Sequence, residues 1–368
     1  RDPFLWTFGA WSGERYDDNS RALFEYVIKN CPEIKAVWMT RDKKIYDALK
    51  ASKIPVAMCK TREGNRIQRN AGVFFATANR FDGDTRYMNG ILYVNLWHGV
   101  PIKKIGEDIM VRIREQSTFK KLKTWYRKTF IPWEFIQGVV VCGSPFFAPF
   151  IQSAFGLSAN QIWITPEPRL DWLTETSKTS FMSNLDKRFG YPIKILYMPT
   201  FRDDKLMKFN PFTQIPFNIN QFAKTLEENN IVLIYKGHYF DNNCKGVNGC
   251  NRILTVGDES YDNLYSFIKD ADILLTDYSS VYFDFLYLKK PIILFPFDYD
   301  DYMIHSRDFY FDYNLMKGVK VYTWDELATC LKNKQYIIPS DEEIAYFRSM
   351  PIGNCAQQIV QLTKNIIC

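Results

Sequence analysis

The chain has 368 residues, of which 46% are hydrophobic and 24% are charged, a composition typical of globular domains and sufficient for two of them. Its formal net charge of +6 is a mild excess that favours anionic partners without implying a nucleic-acid binder. No apolar run approaches 18 residues, so we expect neither a membrane-spanning helix nor a signal peptide.

Short apolar runs alternate with amphipathic segments along the first half of the chain. "PFLWTF" (3–8) predicts a strand, and "DDNSRALFEYVIKN" (17–30) predicts a helix capped by Asp18 or Asn19. Further strands are predicted over 34–40, 54–58, 72–77, 91–97 and 138–143. Continuous Val, Ile and Phe runs are typical of parallel strands that are covered on both faces, so this half is predicted to be a doubly wound α/β unit.

The same pattern restarts near residue 193. Strands are predicted over 193–200, 230–237, 252–256, 271–277 and 290–295, with helices over 218–229 and 280–289. We therefore predict two facing Rossmann-like domains with a central cleft, residues 1–165 and 166–368. The last helix, 355–367, is expected to pack on either of them. Because open parallel sheets bind ligands at the carboxyl ends of their strands, the loops there are the candidate sites.

One of only three histidines lies in "VNLWHGVPIKKIGED" (94–108), directly after a predicted strand. Gly99 allows a tight turn behind His98, and Pro101 restricts the backbone again. A histidine held on such a loop is placed to act as a general base near neutral pH. The alternative is a histidine that only hydrogen-bonds within its loop.

Three loops of the second unit carry groups that bind phosphate. Lys236 and His238 follow one predicted strand, and Arg202 follows another. In "LLTDYSSVYFDF" (274–285), Ser279 or Ser280 is expected to cap a helix whose start then offers an anion site. The alternatives are a solvated Lys-Gly-His turn, a surface ion pair of the arginine, and a cap without a ligand.

The segment 103–133 combines nine lysines and arginines with five interleaved aromatic residues. Such a basic, aromatic amphipathic helix is typical of a segment that binds an anionic membrane surface. The alternative is a solvated helix face. Because the basic segment is single and local, we expect no nucleic-acid binding.

The eight cysteines are scattered and form no Cys-x-x-Cys pair, which predicts reduced, incidental thiols in a cytosolic protein. The sequence also shows no Walker A motif and no GxGxxG motif.

Taken together, these motifs resemble the bacterial CDP-glycerol glycerophosphotransferases of teichoic acid and capsule synthesis. The resemblance covers nearly the whole chain. It rests on these blocks, in family order: "FGAWSGERYDDNSRALFEYV" (8–27), "LWHGVPIKKIGED" (96–108), "EPRLDWL" (167–173), "MPTFRDD" (198–204), "YKGHYF" (235–240), "DILLTDYSSVYFDFLYLKKPIILFPFDYDDY" (272–302) and "RDFYFDY" (307–313). The chain departs from the family where Leu170 replaces Asn, where Tyr239 replaces Pro, and in the loop 238–252.

The resemblance implies a GT-B-like fold whose first domain binds the acceptor and whose second binds the nucleotide. An acceptor hydroxyl would attack the β-phosphorus of CDP-glycerol, with His98 as the base. His238 is implied as the second catalytic histidine. The donor phosphates are assigned to Arg202, Lys236, Thr276, Asp277, Ser279 and Ser280, the donor ribose to Asp284, and the acceptor side to Gly99, Lys103, Lys104 and Asp108. His305 is expected to be structural.

No metal and no cofactor are expected, because cationic side chains can neutralise the phosphates. The expected partners are a CDP-activated donor, a lipid-linked or polymeric glycan acceptor, and the anionic cytoplasmic face of the membrane. The alternatives are transfer of ribitol phosphate, transfer of a sugar from another nucleotide donor, and a scaffold without activity. The oligomeric state is not predicted.

Overall fold

The computed structural model describes residues 1–109, 138–176, 178–200, 210–237, 247, 250–257, 263–305 and 308–367. They form two compact units, Arg1–Thr174 with Ser349–Cys368, and Glu175–Arg348. This division differs from the predicted boundary between residues 165 and 166. Residues 166–174 lie in the first unit, and so does the last helix.

The first unit is built on a seven-stranded sheet in the order β3-β2-β1-β4-β5-β6-β7, and every pair is parallel. The strands are β1 Asp2–Gly9, β2 Lys35–Thr40, β3 Val56–Met58, β4 Ala71–Ala76, β5 Leu92–Asn95, β6 Val139–Cys142 and β7 Ile162–Ile164. Its helices are α1 Asp18–Asn30, α2 Lys43–Ala51, α3 Arg62–Asn70, α4 Ala148–Phe155 and the C-terminal helix Cys355–Ile367.

The core of the first unit is aromatic. Phe8 on β1 stacks on Phe75 of β4 with ring centroids 5.0 Å apart, and it meets Phe24 of α1 at 5.2 Å. The C-terminal helix adds Ile359 and Val360 to this core. Because these side chains are buried among those of the first unit, residues 349–368 belong to it in space, although the whole second unit precedes them in sequence.

The second unit has a six-stranded parallel sheet in the order β10-β9-β8-β11-β12-β13. The strands are β8 Ile193–Tyr197, β9 Ile231–Tyr235, β10 Ile253–Thr255, β11 Ile273–Thr276, β12 Ile292–Leu294 and β13 Val319–Lys320. The helices are α5 Ser180–Phe189, α6 Pro211–Gln214, α7 Ile219–Glu228, α8 Leu264–Lys269, α9 Val281–Phe285, α10 Tyr299–His305, α11 Trp324–Lys332 and α12 Asp341–Phe347. Buried Trp324 of α11 packs against Phe212 and Phe222 at 5.2 Å in the core of this unit.

Both sheets are doubly wound, because the order of strands reverses once in each. The reversal lies between β1 and β4 in the first unit and between β8 and β11 in the second. Loops that leave the carboxyl ends of such neighbouring strands diverge and open a crevice for ligands. The predicted α/β class with two Rossmann-like units is confirmed, while the short strands β7 and β13 were not predicted.

Among the helices that the structure describes, none combines the length and the apolarity that a membrane crossing needs.

Candidate active site

The predicted base lies on the turn that follows β5, next to the strand reversal of the first unit. The His98 ring lies between two tryptophans, with centroid distances of 4.1 Å to Trp97 and 5.1 Å to Trp11. Its Nδ1 atom is buried and has no hydrogen-bond partner among the described residues. The Thr77 backbone, at the end of β4, hydrogen-bonds the ring. This leaves Nδ1 as the nitrogen that can accept a proton.

The electrostatics around His98 favour the neutral ring. Burial lowers the pKa of His98, the nearby Asp18 carboxylate opposes this, and the Arg169 guanidinium adds to it. Asp18 and Arg169 form an ion pair of 2.7 Å, with both side chains largely buried. A neutral imidazole at pH 7 is the protonation state that a general base requires.

The predicted cap of α1 by Asp18 or Asn19 is wrong. Asp17 occupies the N-cap position without a side-chain hydrogen bond to the helix. The Asp18 side chain instead pairs with Arg169, and the Asn19 amide donates to the Trp97 carbonyl oxygen at 2.9 Å. These polar side chains at the start of the helix therefore face the His98 turn.

Sequence reasoning missed a buried carboxylate that joins the loops after β1 and β4. Asp82 accepts hydrogen bonds from the backbone N–H groups of Ser12 at 2.7 Å, Thr77 at 2.9 Å and Ala78 at 2.8 Å. Burial raises the pKa of Asp82 to about 6, against the effect of these bonds. Locally, Asp82 forms a capping box with Asn79, a spacing that the sequence shows, but its bond with Ser12 spans 70 residues and no local pattern records it.

The acceptor-side residues occupy the segment after the His98 turn. Gly99 has a φ of 135°, which favours glycine, and Lys103 and Lys104 are half-buried. Asp108 accepts a hydrogen bond from Ser153 of α4 at 2.5 Å. The structure thus fixes Asp108 against a helix of the first unit, while its predicted role towards the acceptor stays a prediction.

In the second unit, three predicted residues meet at the ends of the adjacent strands β9, β8 and β11. The Lys236 N–H donates to Tyr197 O at 2.9 Å, and the Thr276 hydroxyl donates to Met198 O at 2.7 Å. Asp277 accepts from the N–H groups of Thr200 and Tyr278 at 2.8 and 2.5 Å. Asp277 and Thr276 therefore hold together the two loops at the strand reversal.

The predicted capping role of the serines is wrong. Ser280 lies at the N-cap position of α9 but makes no side-chain capping hydrogen bond, and α9 has only five residues. Both Ser279 and Ser280 are half-buried at this strand end. Their predicted contact with the donor phosphates stays a prediction.

Asp284, the residue predicted to bind the donor ribose, has its partners inside the second unit. Asp284 is 1% exposed, and its carboxylate is paired with Arg348 at 2.5 Å and accepts a hydrogen bond from the Tyr265 hydroxyl. Both carboxylate oxygens are engaged inside the unit, and the predicted contact of Asp284 with the donor ribose stays a prediction.

Several predicted features lie outside the described residues, namely His238, Arg202, the side chain of His305, and the part of segment 103–133 from residue 110 onward. Within the described part of the chain, no three His, Cys, Asp or Glu side chains cluster as a metal site. The expected absence of a metal stays a prediction.

Comparison with known proteins identifies the family. The model described as "CDP-Glycerol:Poly(glycerophosphate) glycerophosphotransferase" matches residues 2–357. The chain is 27% identical to a teichoic acid glycerol-phosphate transferase of Staphylococcus aureus, over 96% of this chain and 91% of the relative. It is 24% identical to a teichoic acid poly(glycerol phosphate) polymerase of Staphylococcus epidermidis, and it spans 50% of that protein's length.

Solved structures agree on the fold. The wall teichoic acid polymerase TagF superposes with a TM-score of 0.76 at 23% identity, over all of this chain and 89% of that one. The UDP complex of Staphylococcus aureus MnaA follows at a TM-score of 0.58 and 11% identity, over 98% and 96% of the two chains. The chain therefore belongs to the CDP-glycerol:poly(glycerophosphate) glycerophosphotransferase family and is an enzyme of the transferase class.

Proposed function

We propose that this enzyme transfers glycerol phosphate from CDP-glycerol to a hydroxyl of a teichoic acid or capsular polymer and releases CMP. Family membership over nearly the whole chain supports the reaction. The observation that carries it is His98, a histidine held neutral by burial at the strand reversal of a doubly wound sheet. One of the TagF structures is described as a CDP-glycerol soak, which supports CDP-glycerol as the donor.

The proposed step is an in-line displacement at the β-phosphorus of the donor. The acceptor oxygen forms a bond to phosphorus while its proton passes to His98. The bond between phosphorus and the bridging oxygen breaks, and CMP leaves with the electron pair. Cationic groups near the strand ends of the second unit, with Lys236 among them, offset the charge of the phosphate oxygens.

The proton acceptor on His98 is assigned to Nδ1, since the ring is already hydrogen-bonded to the Thr77 backbone. Because Nδ1 is buried, an acceptor hydroxyl reaches it only when a neighbouring side chain moves aside. The half-buried Trp11, with its ring 5.1 Å away, is the side chain that we expect to move.

Ribitol phosphate transfer is a second candidate, because the chain is 31% identical to the ribitol-phosphate polymerase TarL of Staphylococcus aureus over 195 residues. That match covers 51% of this chain, whereas the glycerol-phosphate transferase match covers 96%. The fuller match favours glycerol phosphate.

The deciding experiment measures CMP release from CDP-glycerol, CDP-ribitol and UDP-sugars, with lipid-linked and soluble glycan acceptors, each with and without EDTA. We expect release from CDP-glycerol that depends on acceptor, resists EDTA and falls at least about 100-fold in His98→Ala. His305→Ala, the histidine that we expect to be structural, is the matched control. Turnover of a UDP-sugar alone would contradict the proposal, and loss of activity in EDTA would contradict metal independence.

Binding of the enzyme to the anionic cytoplasmic face of the membrane is part of the proposal, and segment 103–133 is its basis. Flotation with vesicles of neutral or anionic lipid tests it. We expect binding to anionic vesicles only, weakened by salt.

A further inference from the structure

Trp97, directly before His98, adopts a strained backbone conformation. Its φ of 56° lies in the left-handed region, which a bulky L-residue occupies at a cost of about 1–3 kcal/mol. Such a conformation persists only where the surroundings hold it. Because the next residue is the proposed base, any relaxation of Trp97 would also redirect the His98 ring.

Two asparagine side chains hold both backbone polar groups of Trp97. The Trp97 N–H donates to Asn95 Oδ1 at 2.9 Å, and the Trp97 carbonyl oxygen accepts from Asn19 Nδ2 at 2.9 Å. Asn19 and Asn95 are 0% and 2% exposed, so water does not compete for these bonds. When such a buried hydrogen bond is removed by deleting the side-chain amide, the backbone polar group of Trp97 is left unsatisfied.

Neither amide is able to rotate without losing a second contact. The Asn19 Oδ1 atom accepts a hydrogen bond from the backbone N–H of Arg169 at 3.1 Å. This leaves the Asn19 Nδ2 atom as the donor to Trp97. The Asn95 Nδ2 atom faces the Ala78 carbonyl oxygen at 3.5 Å, which fixes its Oδ1 atom as the acceptor. The two side chains come from α1 and from the end of β5, so two separate elements hold the turn. We call the side chains of Asn19 and Asn95 the asparagine clamp.

We propose that Asn19 and Asn95 are positioning residues for the transfer reaction, which hold Trp97 in the left-handed conformation and thereby aim the His98 ring. Neither residue touches a reacting atom, so both act through the backbone of Trp97. The inference rests on the proposed function to the extent that His98 is the base.

Loss of either asparagine of the clamp is expected to lower kcat rather than to weaken substrate binding. A displacement of the base by about 1 Å costs on the order of 100-fold in rate. We therefore expect Asn19→Ala and Asn95→Ala each to lower kcat about 10- to 100-fold, with the KM for donor and acceptor changed less than about threefold. Asn30→Ala is the matched control, because its amide also donates to a backbone carbonyl, Tyr26 O, at the far end of α1.

A second readout follows the His98 ring itself. The chain has three histidines, so the imidazoles of the full-length protein labelled with ¹⁵N-histidine can be titrated one by one by NMR, with His98→Ala as the assignment control. The charged groups that act on His98 are Asp18 of α1 and Arg169 of the segment 168–174. We expect the His98 pKa to rise towards 6.5 in both clamp variants as the ring becomes solvated, and to stay unchanged in Asn30→Ala.

The outcomes separate the inference from the proposed function. If both variants melt at lower temperature but keep kcat and the His98 pKa, the asparagines are merely structural and the inference is overturned. If Asn19→Ala does not fold, Asn95→Ala decides, and it also avoids any shift of Arg169. If the wild type releases no CMP from CDP-glycerol while the His98 pKa moves in both variants, the clamp stands and the proposed function fails.

Discussion

At the scale of single residues, the pKa values of two groups of the first unit, His98 and Asp82, are shifted in opposite directions by the same cause. Burial disfavours charge, so it lowers the pKa of His98 and raises that of Asp82. His98 is thereby kept neutral for proton transfer. The Asp82 carboxylate accepts hydrogen bonds from four backbone N–H groups. These bonds fix the loops on which Trp11 and Thr77 lie.

The pH dependence of the reaction should follow His98. Since the base must be unprotonated, kcat/KM is expected to fall as the pH drops through the His98 pKa, with a midpoint below 6.5, and to reach a plateau above that midpoint that extends to pH 8. Asp18→Asn removes the carboxylate that raises this pKa and should move the midpoint to lower pH. Asp47→Asn, an exposed carboxylate of α2, is the control. A midpoint above pH 7 in the wild type would contradict His98 as the base.

Stability should depend on pH through Asp82. Its folded pKa of about 6 exceeds the usual value of 3.8, so the folded state binds more protons between these values. The stabilisation is full below pH 3.8 and is lost as the pH rises to about 6, by up to about 3 kcal/mol. Urea unfolding at pH 4 to 7 should therefore show this loss in the wild type and in Asp47→Asn. A similar slope in Asp82→Asn would refute it.

At the scale of elements, the segment after the His98 turn is held against α4 by a close approach between their backbones. Gly106 has a φ of 56°, and a Cβ atom there would lie 2.1 Å from Ala154 O of α4. The hydrogen bond between Asp108 and Ser153 joins the same two segments. Only glycine permits this contact, which places the segment with Lys103 and Lys104 against α4.

Gly106→Ala is expected to destabilise the first unit by about 3 kcal/mol or more, because it adds a clash with the α4 backbone to the cost of a left-handed alanine. Gly156→Ala is the matched control, since its φ of 61° is similar but a Cβ atom there meets only the Glu107 side chain at 3.8 Å. It should cost about 1 kcal/mol. Thermal unfolding measures both, and equal costs would show that the close approach is not important.

At the scale of the whole molecule, the chain leaves the first unit at Thr174 and returns to it at Ser349. Asp171 secures the return by accepting hydrogen bonds from the N–H groups of Gly353, Cys355 and Ala356 at 2.9–3.0 Å. The start of the C-terminal helix is thus capped by a residue that lies 184 positions before Cys355. Stability of the first unit therefore depends on the end of the chain.

Hydrogen exchange should reveal this division. Ile359→Ala opens a cavity in the core of the first unit and is expected to cost about 2–5 kcal/mol, speeding exchange in β1 and β4 but not in β8 and β11. Leu327→Ala, equally buried in the core of the second unit, should show the reverse pattern. If Ile359→Ala instead speeds exchange in β8, the C-terminal helix supports the second unit.

Local sequence was enough to predict eleven of the strands and the doubly wound class, because continuous apolar runs and helical periodicity are properties of neighbouring residues. It also placed His98 and Lys236 at strand ends for the same reason. The strands β7 and β13, of three and two residues, were not predicted.

What the sequence by itself determined was the class of fold, the family and the strand-end position of the candidate base. Only the tertiary structure decided the long-range partners of Asp82, Asn19, Asp171 and Asp284, since each has a partner at least 64 residues away and its burial depends on how the chain packs. Asp284 shows the difference: its place one turn into the helix after β11 suggests a ligand contact, and only the folded chain brings Arg348, 64 residues later, into an ion pair with it. Long-range pairing of charges is a property of packing, which no local pattern records.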